Sequence, residues 1–178
     1  TAEQLFNRNA DMLLAVLKSD EVVQPWGMVS RINFTSDGVE AASDRVETET
    51  QWRFVNHLTG GFGPLRERDG TSSFLETRPE LSKAVGQVND QLFQAALDYQ
   101  LEDDLMVRRL DFNTGQVTDA RKQVASIAWY VTAVGNGYRS GERFDRPGSW
   151  DGEAELEERS RALYGSLRTN NDWLLNQL

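Results

Sequence analysis

The chain has 178 residues, no cysteine and a formal net charge of −9. Its length fits one domain, residues 1–178, able to bury a core without covalent staples. The missing cysteines exclude disulfides, thiolate catalysis and Cys-based zinc sites, and the acidity argues against general nucleic-acid binding and against adsorption to an anionic membrane.

The first residues read as a helix over Ala2–Lys18. Leu5, Met12 and Val16, with Phe6, Leu13 and Leu17, recur at helical spacing, and Arg8 and Asp11 turn away. Thr1 to Phe6 lack the basic start and apolar run of a signal peptide, and no stretch approaches the roughly 20 apolar residues of a membrane span. A cytoplasmic protein with no membrane contact is the expectation, although a secreted chain trimmed of its leader reads the same way. A helix at the start also argues against Thr1 as an amino-terminal nucleophile.

From Val22 to Thr35 the pattern changes. Pro25 breaks a helix, and the alternation of Met28, Ser30, Ile32 and Phe34 suggests a short strand ending at the turn Ser36-Asp37-Gly38. Asn33-Phe34-Thr35 matches a glycosylation triplet, a pattern common by chance. Residues 39–58 carry two readings. Val46, Thr48, Thr50, Trp52 and Phe54 alternate as in a strand, whereas Val39, Ala42, Val46, Val55 and Leu58 suit a helix ending at Gly60-Gly61. The helical reading is narrowly favoured.

Residues 59–79 read as a long loop rich in glycine and proline. Thr77-x-x-Glu80 then has the form of a capping box. Leu81, Val85, Val88, Leu92, Ala96 and Tyr99 extend the pattern into a helix to about Arg109. After the turn Asp111–Gly115 a second helix is expected from Val117 to Val134, with Ala120, Val124, Ile127 and Val131 on its face. A short connection makes these two helices antiparallel neighbours. A last helical region starts near Asp151, with Asn170 and Asn171 as an interruption before Trp173. The resulting fold class is mainly α: a bundle of four to five helices, with room for a small β element near residues 26–54.

No catalytic constellation emerges. His57 is the single histidine, which excludes multi-histidine metal sites within one chain; a position near an element's end explains it. Glu102, Asp103 and Asp104 read as a solvated helix face, with Asp104 and Arg108 paired four residues apart. The glutamates from Glu153 to Glu158 suit a helix start. No nucleotide-binding glycine loop is present, and no cofactor or metal is expected.

The remaining candidates are a Gly- and Arg-rich loop and two tryptophans. Arg139, Arg143 and Arg146, interleaved with Tyr138, Phe144 and Trp150, form a group able to grip an anion or a partner. Trp26 and Trp150 lie beside chain bends and are the tryptophans expected at an interface, whereas Trp52 and Trp129 are expected in the core. The function expected from these residues is a non-enzymatic interaction or assembly subunit of a larger complex, such as a structural component of a virion. Its partners would be other protein subunits or further copies of itself. The alternative is a small enzyme or ligand-binding module using carboxylates and the arginine loop on an anionic or polar substrate. Asp145 or Asp111 would then act as acid or base.

Overall fold

The computed structural model describes residues 2–58, 78–139 and 153–177. Within them lie five α-helices and nine short strands in four small sheets. This α+β mix corrects the expectation of a mainly helical bundle with one small β element.

Helix α1, Ala2–Leu17, forms as its spacing predicts. Ala10, Val16 and Leu17 are buried, but Leu5 is largely exposed. A β-ribbon follows. Strands β1 (Val23–Gln24) and β2 (Gly27–Met28) form one hairpin, and β3 (Ile32–Phe34) and β4 (Val39–Ala41) a second. The second turns where the sequence predicts. Thr35 donates its N–H to the Gly38 carbonyl at 2.9 Å, and Gly38 takes φ +146°, a value that favours glycine.

Both readings of residues 39–58 hold for part of the segment. Strand β5 (Arg45–Glu47) gives way at once to helix α2, Thr48–Asn56. Thr48 marks the switch: its hydroxyl donates to the carbonyls of Val107 (2.6 Å) and Arg108 (3.0 Å). From there the buried residues are Thr48, Gln51, Trp52 and Val55, which is helical spacing. The indole of Trp52 is fully buried, edge-on to Tyr130 at 4.8 Å and tilted on Phe93 at 5.6 Å. Burying a side chain of that size stabilises the fold by about 4–6 kcal/mol. Trp129 is only half-buried, 6.3 Å from the His57 ring at the end of α2.

Of the loop expected at residues 59–79, residues 59–77 lie outside the described residues, and Pro79 already belongs to the next helix. Helix α3 runs Pro79–Ala95, with proline in its first turn and no side-chain bond at its Arg78 cap. Thr77 of the expected capping box Thr77-x-x-Glu80 lies outside the described residues. Arg78 instead reaches Asn7 and Asp11 and ties α3 to α1.

The helix expected to reach Arg109 ends at Ala95. A π-helical turn, Ala96–Gln100, leads into the hairpin of β6 (Leu101–Glu102) and β7 (Leu105–Met106). Asp103 and Asp104, read as a helix face, form its turn with φ of 53° and 61°. A distant partner explains the departure from the local pattern. The Asn170 side chain accepts from the Met106 N–H at 3.0 Å and donates to the Asp104 carbonyl at 2.7 Å. No local pattern reveals that bond. The expected Asp104–Arg108 pair is absent, and Arg108 pairs with Asp119 at 3.2 Å.

The next departure is similar. Val117–Asp119 is strand β9, not the start of a helix, and it joins β8 (Arg109–Asp111) and β5 in the three-stranded sheet β5-β8-β9. The turn Asp111–Gly115 forms as expected. The Asp111 carboxylate accepts the N–H groups of Asn113 and Thr114, both at 2.9 Å, and Gly115 takes φ +73°.

Helix α4, Val124–Arg139, buries Ile127, Tyr130, Ala133 and Val134 and leaves Val124 exposed. It packs on α2 and on α5, Glu153–Leu175, so the expected antiparallel pairing with α3 does not describe its main neighbours. Asn170 and Asn171 do not interrupt α5. The hydroxyls of Tyr130 and Ser166 meet between α4 and α5.

Candidate interaction surface

A buried polar network sets the frame of the site. Gln100 accepts hydrogen bonds from Trp52 Nε1 at 3.1 Å and Gln51 Nε2 at 3.0 Å, and donates to the Trp26 carbonyl at 2.9 Å. Gln51 Oε1 accepts from the Met28 N–H at 2.9 Å. A Cβ on Gly27 would sit 2.7 Å from that same oxygen, so the close approach requires glycine. The network fixes Met28 against α2 and so aims the ribbon that follows across α1.

Between α1, the β3 edge of the ribbon and α2 lies a groove of about 380 Å³. Met12, Leu13, Val16, Met28, Ile32, Phe34 and Phe54 give it apolar walls. Phe34 is 50 % exposed at its rim. Arg31 is the one charged residue lining it, and it forms no ion pair among the described residues. An exposed aromatic beside an apolar groove is the kind of surface that marks binding.

A charged cluster lies on the three-stranded sheet. The Arg121 guanidinium, bonded to Asp119 at 2.6 and 2.9 Å, holds that carboxyl well below the usual carboxylate range. Burial opposes this, while the Arg121 backbone N–H and the Arg108 guanidinium reinforce it. Asp119 raises Arg121 in turn. One carboxylate thus pairs with both arginines, while Arg108 Nε stays buried without a hydrogen-bond partner among the described residues; the ion pairs make this a structural cluster.

Of the site residues singled out from sequence, Trp26 is the one whose side chain is among the described residues, and it does not line the groove. Trp26 is half-buried, its Nε1 donating to the Phe112 carbonyl at 2.7 Å and its ring edge-on to Tyr99 at 6.3 Å. A Cβ on Gly115 would lie 2.8 Å from the Trp26 ring. The indole thus clasps the β1–β2 turn to the β8–β9 turn. Tyr138 and Arg139 fall in the last turn of α4, their side chains outside the described residues, and Arg143, Arg146 and Trp150 lie outside them altogether.

Sequence reasoning missed Phe34 and Arg31 as surface residues. The alternation of Ile32 and Phe34 was visible, but alternation does not show that the covering element stops short of Phe34. Among the described residues no cluster of His, Asp and Glu is arranged to hold a metal, and no helix is long and apolar enough to cross a membrane. Comparison with protein-family models, with curated proteins and with solved structures finds no match to this chain.

Proposed function

We propose that this chain is a non-enzymatic interaction subunit of a larger protein complex, with the groove beside Phe34 as its contact surface. One observation carries the reading: an aromatic side chain 50 % exposed at the mouth of an apolar groove built by three elements. A lone exposed apolar side chain is ordinary; one that continues into an apolar groove forms the kind of contiguous patch that marks a protein contact. The stretch holding Tyr138, Arg139, Arg143, Arg146 and Trp150 is a second contact region in this proposal, with Trp26 bracing the fold between two turns. The absence of cysteine supports a cytoplasmic setting.

The test is affinity capture from an extract of the source cells with the full chain and with Phe34→Glu. A protein recovered in fixed ratio with the native chain and lost with the variant is the expected result. Recovery of the chain alone in both cases, at unchanged folding by circular dichroism, refutes the reading.

A further inference from the structure

We infer that the groove receives an extended segment of a partner protein, which adds as a strand to the outer edge of β3; this rests on the interaction reading above. The first argument is ladder parity. In the β3–β4 pair, Thr35 bonds Gly38 and Ala42 bonds Arg31, so the hydrogen-bonded pairs fall on residues 31, 33 and 35 of the first strand. The N–H and C=O groups of Ile32 and Phe34 therefore point away from β4, and neither residue has a further partner among the described residues. On β4 the outward carbonyl of Val39 already accepts from the Ser19 hydroxyl at 3.4 Å. The open edge is thus on the groove side of the ribbon.

The second argument is the match between edge and groove. A strand added to β3 would place alternate side chains over the floor formed by Met12, Leu13, Val16 and Phe54. The third is charge. Arg31 is the groove's one charged lining residue in a chain of net charge −9, so the occupant carries a carboxylate opposite it. The same net charge opposes a second copy of this chain as the occupant. The partner segment is accordingly extended, apolar at every second position and acidic at one end.

The experiment is amide hydrogen exchange by NMR on the full chain. The probe is a short peptide that alternates valine with threonine and ends in aspartate. Expected are binding, slowing of exchange at Ile32 and Phe34 by about tenfold or more, and loss of binding when alternate peptide nitrogens are methylated. Arg31→Glu should weaken binding about fivefold without unfolding the chain. Absence of binding, or binding without slowed exchange at both amides, overturns the proposal. So does exchange at these amides that is already slow without peptide: independent of concentration, it places the chain's own residues on the edge, and growing with concentration, it places a second copy there. If capture is lost with Phe34→Glu while strand pairing fails, the interaction reading stands and only the strand inference falls.

Discussion

Replacing Gln100 with leucine isolates the energetic weight of the buried polar network. Leucine approximates the volume of glutamine, so little cavity forms and the loss is mainly one of hydrogen bonds. Three groups lose their partner: the indole N–H of Trp52, the side-chain amide of Gln51 and the carbonyl of Trp26. Gln100 and Trp52 are both fully buried, so water does not readily replace the missing oxygen. A buried group left without its partner costs about 1–3 kcal/mol. With Gln51 free to reorient, we expect a total near the low end of the sum, about 3–5 kcal/mol. That is a large part of a typical domain stability of about 5–15 kcal/mol. Urea unfolding followed by tryptophan fluorescence measures it, since Trp26 and Trp52 both border the network. A change below about 1 kcal/mol would refute the claim that these bonds, and not apolar packing alone, hold the ribbon on α2.

Asp104→Gly should stabilise the chain by about 0.5 kcal/mol, because glycine adopts the left-handed conformation of this turn at no steric cost. The Asp104 carbonyl that Asn170 holds is retained. A melting temperature that does not rise would count against strain at φ 61°. Asp119 is held below its ordinary range in the fold, so its contribution is present above that range and is lost as pH falls through the lowered value. The stability difference between the native chain and Asp119→Asn should therefore shrink from about pH 5 to about pH 2, measured by urea midpoints. A difference independent of pH would show that the carboxylate's pairing with Arg121 does not contribute.

Elements whose partners lie nearby in sequence were legible. The stripe of α1, the Ser36–Gly38 turn and the Asp111–Gly115 turn follow from spacing and turn chemistry alone. Elements fixed by distant bonds were not. Ala96 and Tyr99 continue the helical spacing of α3, yet the chain leaves the helix there. Gln100 is drawn into the bonds with Gln51 and Trp52, and Asn170 secures the hairpin beyond. Val117 reads as the start of the helix running to Val134, but its pairing with Leu110 makes it strand. Residues 39–58 stayed balanced because the switch rests on Thr48 reaching the carbonyls of Val107 and Arg108. At the candidate site the apolar residues of both walls were visible, but only as the stripe of α1 and the alternation of short strands. Exposure of Phe34 depends on where α1 and α2 part, which no single segment encodes.

The bond between Asn170 and the β6–β7 hairpin sets an order of events during synthesis. Asp104 precedes Asn170 by 66 residues, so the hairpin emerges from the ribosome long before the amide that satisfies its carbonyl. Until α5 docks, the Met106 N–H has no such acceptor and the side chains destined for the core around Val107 lack their cover. The region around the β6–β7 hairpin is thus completed only by α5, and the nascent protein depends on that later arrival to close its core.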